Sequence, residues 1–330
     1  MSSKFKFIDL CAGIGGLRIP FDELGGECVF TSEINKAARQ TYASNFRDGA
    51  NSTEEAESLI NTDVIEIGDN RPSEIPDHDL LVAGFPCQPF SHAGKRLGFE
   101  DTRGTLFFSI ANIIATKKPK VVLLENVRGL RNHDGGNTLK RIIEVLRNPT
   151  TGLEYHVPEP KILCARDFGL AQNRNRIFIV AIRKDIKGAS EFKFPPPTHD
   201  RNQLKLKPFL LMQAPNSLTI SDRLWQGHKD RKTRNKAAGK GFGYQLFDPE
   251  TASYVSTISA RYFKDGSEAL IDQPGMNPRK LAPEEIKRLQ GFPNDFKLNP
   301  SSVEAYRQLG NAVPVSVIRA IAGCLSPYLD

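Results

Sequence analysis

The sequence predicts an α/β fold, with a large domain built on a mostly parallel sheet and a second, smaller domain. Short apolar runs alternate with helical patterns along the first half of the chain, as βαβ units require. Several of these runs end in glycine or in polar residues, which places candidate functional groups at the ends of strands. Composition then shifts at Phe194-Pro195-Pro196-Pro197, where we expect the domain boundary.

The composition is that of a folded protein, and its charge favours an anionic partner. The 330 residues are 39% hydrophobic, and the formal charge of +7 favours nucleic acid, although such an excess is also common on a solvated surface. The five cysteines are scattered and include no Cys-x-x-Cys pair, so neither a disulfide framework nor a zinc site is expected. No apolar stretch approaches the ~18 residues of a membrane span, and we expect no signal peptide, because the polar start Met1-Ser2-Ser3-Lys4 lacks the apolar region of one. We expect a soluble cytoplasmic monomer without metal or membrane contact.

The first predicted βα unit carries a glycine turn. A strand over Phe5–Leu10 leads into Cys11-Ala12-Gly13-Ile14-Gly15-Gly16, and a helix begins near Leu17. Glycine lets the backbone approach a ligand, and the helix start presents free N–H groups. Glu33 stands 17 residues after Gly16, where nucleotide-binding domains often place an acid on ribose hydroxyls. A turn required only by packing and an acid at a helix N-terminus remain alternatives.

Two further segments complete the predicted cofactor side of the domain. A helix is expected around Ala37–Asn45, followed by a loop and helix over Asp48–Ser58. Asp63 comes next, in a short segment from which its carboxylate could reach a cofactor base or ribose.

The stretch from Asp79 to Ser91 is predicted to be a buried strand that delivers a thiol. Its apolar run stops at Gly84, and Cys87 follows within a turn rich in proline. A cysteine in this setting is more often structural than nucleophilic, so its neighbours must decide. The loop from His92 to Gly104 holds glycines and basic residues, as a lid over an anionic substrate would, and a merely solvated loop is the alternative.

A second polar group ends the next buried strand. After a helix over Leu106–Ala115, the β-branched and leucine residues of Val121–Val127 predict a strand buried on both faces of a parallel sheet. Glu125 emerges at its end, where burial in a cleft could raise its pKa and let it hold a proton. A structural ion pair is the alternative for Glu125, and Asn126 could be a turn residue.

Two arginines predict a reversal of strand direction. A helix over Leu139–Leu146 and a strand over Lys161–Ala165 precede Gln172-Asn173-Arg174-Asn175-Arg176, which runs into the apolar strand Ile177–Ile182. The arginines come before or at the start of their strand, whereas the other groups follow theirs. To reach the same sheet edge, this strand must run antiparallel. Arginines two apart on a strand face the same side, so one could bind substrate while the other orders the site.

The segment after Pro197 is predicted to be a basic, irregular domain without a long helix. To Lys280 it contains 14 Lys and Arg against 8 Asp and Glu. Two glycine-rich, basic and aromatic loops, residues 229–244 and 259–266, could neutralise phosphates and read base edges. A solvated face is the alternative. A helix with Pro283 first and Gly291 as its stop follows, and a closing helix spans Val317–Leu325.

The ordered set of motifs resembles the DNA cytosine-5 methyltransferases of the compact bacterial restriction-modification type. The matching segments are Phe7 to Gly16, Gly84 to Ser91, Glu125-Asn126-Val127, Gln172-x-Arg174-x-Arg176, Arg288 to Pro293 and Gly310 to Val315. The resemblance implies a Rossmann-like S-adenosylmethionine-dependent domain with a mixed, mostly parallel sheet, and a smaller irregular or β target-recognition domain. Catalytic regions would be 1–194 and 310–330, with recognition over 195–280 and a hinge over 281–309.

The resemblance also implies roles for four residues. Cys87 would add to cytosine carbon 6, while Glu125 would bind N3 and the amino group of the ring. Arg176 would bind the carbonyl oxygen, and Arg174 would support Cys87 and Glu125. The target cytosine would flip out of the duplex, because its ring faces are hidden there.

Further positions match the family's cofactor and DNA contacts. Those for S-adenosylmethionine, which leaves as S-adenosylhomocysteine, are Gly13, Gly15, Gly16, Glu33, Asp63, Pro86, Leu106 and Asn311. Those for double-stranded DNA are Gln88, Ser91, Lys95, Arg103, Lys240, Gly241, Tyr244, Thr257, Arg261 and Tyr262. Cys11 stands where many relatives carry phenylalanine, which puts an aromatic cofactor contact there in doubt. The segments 239–244 and 257–266 look like those of relatives that methylate CCGG or CCNGG sites.

Two other functions fit parts of the pattern. A transfer-RNA cytosine methyltransferase would share the catalytic domain, but the basic insert favours duplex DNA. An inactive DNA-binding paralogue would have lost a catalytic group, and all four are present. An amino-methylating enzyme would carry an Asp/Asn-Pro-Pro-aromatic motif instead. A separate cognate restriction endonuclease is the one further partner that the resemblance suggests.

Overall fold

The computed structural model describes residues 4–60, 62–86, 106–241 and 243–329. The chain forms two compact units. The larger comprises Met1–Leu163, Asn175–Pro196 and Val317–Asp330, and the smaller comprises Cys164–Arg174 and Pro197–Ser316.

The elements are numbered in chain order. The strands are β1 (Phe5–Leu10), β2 (Gly26–Ser32), β3 (Leu80–Gly84), β4 (Val121–Val127), β5 (Tyr155–His156), β6 (Lys161–Cys164), β7 (Gln172–Asn173), β8 (Asn175–Arg183), β9 (Leu246–Phe247), β10 (Val255–Ser256), β11 (Leu270–Ile271) and β12 (Arg279–Lys280). The helices are α1 (Ile19–Glu23), α2 (Lys36–Asn45), α3 (Thr53–Leu59), α4 (Val64–Asn70), α5 (Leu106–Lys117), α6 (Asn137–Leu146), α7 (Asp222–Ala237), α8 (Pro283–Leu289), α9 (Ser302–Asn311) and α10 (Val315–Leu325).

The larger unit is organised around a mixed sheet of order β2-β1-β3-β4-β8-β5, in which β6 also pairs with β8. Strands β2, β1, β3 and β4 are mutually parallel. The apolar residues of β1, β3 and β4 are buried on both faces except Val127, as the continuous hydrophobic run of β4 predicts, whereas those of the edge strand β2 are half-buried. Helix α5 presents Phe107, Ile110 and Ile114 to the same core.

Strand β8 runs antiparallel to β4, which confirms the reversal predicted from the arginines. The register pairs Val121 with Ile182 and Val127 with Arg176, so the start of β8 lies at the carboxyl end of β4. Arg176 therefore shares a sheet edge with Glu125. Arg174 does not belong to β8, because that strand begins at Asn175.

The smaller unit takes up more of the chain than the sequence predicts. Residues 164–174 belong to it because β7 pairs with β10 and because Val255 N donates to Ala171 O over 2.9 Å. Residues 281–316, predicted as a hinge and as a return to the large domain, also lie within this unit. Two short sheets, β10-β7 and β12-β11-β9, accompany its helices.

The prediction that the segment after Pro197 lacks a long helix is wrong. Helix α7 spans 16 residues, and it includes much of the predicted loop over 229–244. Ser221 caps its first turn by accepting a hydrogen bond from Leu224 N over 3.3 Å. The helix has no apolar stripe to reveal it, since His228 is its one buried residue.

One run of the described chain has the length and hydropathy of a membrane span. It covers Ser302–Tyr328 and reaches a mean hydropathy of 1.4, but 56% of that window is buried inside the protein. Such burial is typical of core helices in soluble proteins. The run also comprises two helices, α9 and α10, separated by Ala312, Val313 and Pro314.

Candidate active site

Glu125 and Arg176 form a nearly buried ion pair at one edge of the main sheet. Arg176 Nε lies 3.0 Å from Glu125 Oε1, and the side chains are 12% and 9% exposed respectively. Burial lowers the pKa of Arg176, and the Glu125 carboxylate opposes that shift. Arginine remains charged after any modest shift. The pair therefore presents a fixed guanidinium beside a carboxyl group, which suits a ring that carries a carbonyl oxygen and an amino group.

The end of β3 lies beside this ion pair. Gly84 is the register partner of Glu125, and a Cβ added to Gly84 would lie 3.4 Å from Glu125 Oε2. Asn126 Nδ2 donates to Phe85 O over 2.8 Å, which ties the chain leaving β3 to the end of β4. Pro86 follows and is exposed. Cys87, the predicted nucleophile, lies outside the described residues, but the chain that leads to it is fixed at the Glu125 edge.

The glycine turn and Glu33 are joined directly. Glu33 Oε2 accepts a hydrogen bond from Gly13 N over 2.8 Å, and Oε1 accepts one from Asn35 N over 2.7 Å. Gly13 has a φ of +58°, and a Cβ added there would meet no described atom within 4 Å. Gly15 also has a positive φ, and its Cβ would overlap the Phe46 ring. Glycine at 13 thus borders open space, whereas glycine at 15 is required by packing.

Asp63 lies at the same end of the sheet as Glu33. Ser32 Oγ donates to Thr62 O over 2.5 Å, and Glu33 N donates to Ile60 O over 3.1 Å. The Asp63 carboxylate is exposed and caps α4 by accepting from Ile65 N over 2.9 Å. Leu106 begins α5 and packs half-buried against the main core. Two carboxylates, an open glycine turn and an apolar side chain suit a ligand with ribose hydroxyls and an amino-acid moiety.

Asp9 lies at the end of β1, directly before the turn. Its side chain is fully buried, and neither carboxylate oxygen has a hydrogen-bond partner among the described residues. Burial raises the pKa of Asp9 well above its usual range, while the charge of Arg18 opposes the shift. Burying a carboxyl group without a hydrogen-bond partner lowers the stability of the folded protein. The turn thus has a buried acid without solvent exposure as its neighbour.

Arg174 is fully buried within the smaller unit, where its guanidinium binds backbone carbonyls. Nη1 donates to Ile258 O over 3.0 Å, and Nη2 donates to Gly310 O and Ala312 O over 2.8 and 2.6 Å. The carbonyls on either side of Asn311 are therefore fixed by one side chain. Asn311 itself is exposed at the end of α9. These contacts give Arg174 a positioning role for Asn311 that its sequence motif does not reveal.

Known proteins that resemble this chain identify its family. A family model described as C-5 cytosine-specific DNA methylase matches residues 5–326. The chain belongs to this family. Type II methyltransferase M.NlaX of Neisseria lactamica is 50% identical over 322 residues, which cover 96% of this chain and 95% of that protein. Type II methyltransferase M.DsaV of Dactylococcopsis salina is 47% identical, over 99% of this chain and 87% of its own length.

A solved structure supports the fold. The Dnmt2 methyltransferase of S. pombe matches with a TM-score of 0.72 at 19% identity, over 98% of this chain and 99% of that chain. The Rossmann-like methyltransferase fold expected from the sequence is therefore confirmed. As a member of the methylase family, the chain is a DNA cytosine-5 methyltransferase, and the family implies S-adenosylmethionine as the methyl donor.

The methylase carries several predicted DNA contacts on its smaller unit. Lys240, Gly241 and Arg261 are exposed. Tyr262 is different, because its ring is fully buried and its hydroxyl donates to Ala269 O over 2.6 Å and accepts from Leu281 N over 2.8 Å. These are the contacts of a core residue, so the expectation that Tyr262 contacts DNA is corrected. Its aromatic neighbours in the sequence concealed this role.

The other predicted DNA contacts fall into two groups. Thr257 is half-buried and its hydroxyl donates to Asn173 O over 2.7 Å, while Tyr244 stacks edge-on against Trp225 with ring centroids 4.8 Å apart. Both side chains therefore have intramolecular contacts. Gln88, Ser91, Lys95 and Arg103 lie outside the described residues.

Sequence reasoning missed two positioning residues of the methylase. Asn126 was open to interpretation as a turn residue, yet it joins the ends of β3 and β4. Gly310 was part of a motif without a stated role, yet a Cβ there would overlap the backbone of Ser259 and Ala260. The glycine in front of Asn311 could have been noticed, because a glycine within a helix usually marks a close approach.

Proposed function

We propose that this methylase modifies carbon 5 of a flipped-out cytosine within a specific short sequence of duplex DNA. Relatives named type II methyltransferases share up to half of their residues with it over nearly the whole chain, which supports a role as the modification half of a restriction-modification system. The observation that carries the chemistry is the Glu125–Arg176 pair, 3.0 Å apart, at the strand end that adjoins β3.

Covalent addition by Cys87 makes the cytosine reactive. Carbon 5 is a poor nucleophile, so the Cys87 thiolate adds its electron pair to carbon 6, and the carbon 5–carbon 6 double bond shifts to give an enamine. When bound, S-adenosylmethionine supplies the electrophilic methyl group that carbon 5 accepts. A base, for which water is sufficient, then takes the carbon 5 proton. The electrons of that bond restore the double bond and expel the Cys87 thiolate.

Glu125 and Arg176 stabilise the ring as the thiolate adds. Glu125 holds a proton on N3 and accepts a hydrogen bond from the amino group, so the electron density that reaches the ring is neutralised there. Arg176 donates to the carbonyl oxygen of the base. The salt bridge fixes both side chains before substrate arrives, which lowers the cost of ordering them during the reaction.

The open turn around Gly13 and the carboxylates of Glu33 and Asp63 hold S-adenosylmethionine. Glu33, anchored by Gly13 N and Asn35 N, is oriented to accept hydrogen bonds from ribose hydroxyls. Gly15 and Gly16 shape the turn, and Pro86, Leu106 and Asn311 complete the contact set. Asp9 lies next to the turn as a further polar group.

Recognition of DNA belongs to the smaller unit and to the loop after Cys87. Candidate contacts are Gln88, Ser91, Lys95, Arg103, Lys240, Gly241, Tyr244, Thr257 and Arg261. Arginine and exposed backbone groups can read base edges, while lysines bind phosphates. We propose a CCGG-like or CCNGG-like site. The methylase acts as a monomer in the cytoplasm, and any cognate endonuclease acts separately.

Expression in a host without cytosine methylation tests this function directly. Bisulfite sequencing of that host's DNA should show one short motif whose cytosine resists conversion almost completely. Resistance at no cytosine would contradict the proposal. In that case, methyl transfer from labelled cofactor to transfer RNA would support the RNA-modifying alternative, and transfer to neither nucleic acid would support an inactive paralogue.

A trapped adduct tests the covalent step. Duplex DNA with 5-fluorocytosine at the target cannot lose a proton from carbon 5, so a covalent complex should accumulate and survive denaturing electrophoresis. Cys87→Ala should abolish both the complex and methyl transfer. Cys324→Ser is the matched control, because this half-buried cysteine lies on α10 outside the candidate site. Trapping by Cys87→Ala would refute the mechanism.

A further inference from the structure

We propose that one face of α7 binds phosphates of the DNA backbone without regard to base sequence. This face, the lysine face, consists of Lys229, Lys232 and Lys236. The inference rests on the proposed function, because it takes duplex DNA as the substrate. It adds a surface to the recognition unit whose contribution is affinity rather than choice of site.

Helical geometry aligns the three lysines. Positions three and four apart lie within about 60° of each other around an α-helix, so residues 229, 232 and 236 form one stripe. Their Cα atoms are separated by about 4.5 and 6 Å along the axis. All three side chains are exposed. Such a row can engage neighbouring phosphates of one strand, since phosphates also repeat at regular short intervals.

A side of α7 next to the lysine face is anchored to the smaller unit. His228 is 1% exposed, and its Nε2 donates to Asp265 O over 3.1 Å. Arg231 bonds to Asp265 Oδ2 and to Gly243 O, each over 3.0 Å. Gly243 packs so closely that an added Cβ would lie 2.6 Å from Lys232 Cβ. The helix is therefore held in one orientation, with the base of Lys232 at the packed border and the three lysine side chains exposed beside it.

The lysines of this face have no carboxylate partners among the described residues. The helix carries six Lys and Arg against two Asp, and neither Asp222 nor Asp230 forms a salt bridge with the lysine face. Elsewhere in the unit, by contrast, Lys207 pairs with Glu250 over 2.6 Å. Unpaired like charges in a row repel each other, and an anionic partner relieves that repulsion.

Aromatic rings position two of the lysines. Lys232 Nζ lies 4.4 Å from the Tyr244 ring centroid and Lys229 Nζ lies 5.5 Å from that of Trp225. A cation over an aromatic face is favourable and restricts a flexible side chain. Tyr244, which is itself a candidate DNA contact, thus also supports the lysine face. Lysine is a compact point charge, which favours phosphate over the planar edges of bases.

The salt dependence of DNA binding tests this proposal. The variant Lys229→Gln, Lys232→Gln, Lys236→Gln removes three charges and keeps the stems that pack on the helix. If all three bind phosphates, the slope of log affinity against log salt should weaken by about 2.7. The wild type should then lose about 40-fold more affinity than the variant between 50 and 200 mM NaCl.

Matched variants make the result specific to this face. Lys184, Lys187 and Lys193 are exposed, and the first two follow the carboxyl end of β8, at the opposite sheet edge from Glu125. Changing these three lysines to Gln should leave the slope unchanged. Changing the lysine face to Arg should restore the wild-type slope, since charge rather than lysine itself is required.

Binding to duplexes with and without the target sequence distinguishes a loss of overall affinity from a loss of sequence recognition. The glutamine variant should weaken binding to both by the same factor and raise the KM for DNA while kcat is retained. An unchanged slope in a wild type that methylates DNA would overturn the lysine face and leave the proposed function intact. A change in sequence preference alone would also overturn it. A wild type that methylates no DNA would instead refute the proposed function.

Discussion

The larger unit is built on strands of up to nine residues, whereas every described strand that lies wholly in the smaller unit spans two. Because such short strands form few backbone hydrogen bonds, buried polar side chains provide further hydrogen bonds in the smaller unit. Its Glu285 is fully buried, and its carboxylate accepts from Arg279, Leu211 N and Ala282 N. The Glu125–Arg176 pair of the larger unit lies at a strand end beside the chain that leads to Cys87. We therefore expect the Glu285–Arg279 pair to serve stability and the Glu125–Arg176 pair to serve the proposed chemistry.

The Glu285–Arg279 and Glu125–Arg176 pairs are both largely buried. They differ in the hydrogen bonds that their side chains form. Glu285 receives two backbone amides as well as both terminal nitrogens of Arg279, at distances of 2.7 to 2.8 Å. Those bonds fix segments distant in sequence. Arg176 approaches Glu125 through Nε, and its Nη1 donates to Asn175 O. The Glu285 carboxylate thus joins distant segments through backbone amides, whereas the Glu125 carboxylate lies at a strand end beside the chain that leads to Cys87.

Among variants of the two ion pairs, Glu125→Gln should have the largest effect on activity. The amide cannot transfer or share a proton with N3, so we expect kcat to fall by about 10²- to 10⁴-fold. The loss of charge beside Arg176 should also lower the melting temperature, but by less than in Glu285→Gln, because the Glu125–Arg176 pair is more exposed. Single-turnover methylation at saturating DNA measures the first effect and circular dichroism the second. A variant that methylates normally but melts early would place Glu125 with Glu285 as a structural group.

Glu285→Gln should have the opposite profile. Removing one charge from a buried, hydrogen-bonded pair leaves Arg279 uncompensated and is expected to cost about 3 kcal/mol or more of stability. At a temperature where the variant is folded, kcat should stay within about twofold of the wild type. Urea unfolding followed by fluorescence of the single tryptophan, Trp225, reports on the smaller unit. Unchanged unfolding together with lost activity would contradict the structural role.

Gly310→Ala should perturb the smaller unit less than loss of the ion pair. A methyl group would overlap the Ser259 carbonyl, and overpacking of this kind typically costs about 1–3 kcal/mol. Because Arg174 binds the carbonyls of Gly310 and Ala312, a shift there should also displace Asn311 and raise the KM for S-adenosylmethionine. Gly323→Ala is the control, since its added Cβ meets no described atom within 4 Å. Equal effects from both variants would disprove the close packing.

The sequence predicted best the features that follow from local pattern and chain order. The antiparallel direction of β8 followed from one requirement, that Arg176 reach the edge where Glu125 emerges, and the register confirms it. The start of α8 at Pro283 agrees with the preference of proline for a first turn. The first conclusion needed only the order of motifs along the chain and the geometry of strands, and the second needed only the residues at the start of the helix.

Features that depend on contacts between residues distant in sequence could not be predicted. Arg174 binds carbonyls that are 84, 136 and 138 residues away, so its place in the smaller unit has no local signal. Helix α7 was missed because its residues are nearly all polar and exposed. The core position of Tyr262 depends on a hydrogen bond from Leu281 N, 19 residues further along the chain. The charged and aromatic residues of this unit indicated a DNA-binding surface. They did not show which side chains contact DNA and which pack inside the unit.

A pH titration should show the smallest effect and test the anchoring of α7. His228 Nδ1 accepts from Arg231 Nη2 over 2.8 Å, and its Nε2 donates to Asp265 O, which is the pattern of a neutral ring. Burial lowers the pKa of His228, an effect that Arg231 reinforces and the bonds to Asp265 oppose. Although burial favours a higher pKa for Asp265, hydrogen bonds from Ser267 and Arg231 lower it overall, so this acid stays charged near neutrality.

The sign of the pH effect follows from the lowered pKa. Below the ordinary histidine pKa of about 6.5, the unfolded chain binds a proton that the folded protein excludes, so acid favours unfolding. The stability contributed by neutral His228 is therefore complete above pH 6.5 and is lost as the pH falls through the folded pKa. His228→Gln, which cannot titrate, should lose less stability than the wild type between pH 7.5 and 5.5 in urea unfolding. A larger loss in the variant would mean that His228 is charged in the folded protein, and the assignment of Arg231 as donor to its Nδ1 would be wrong.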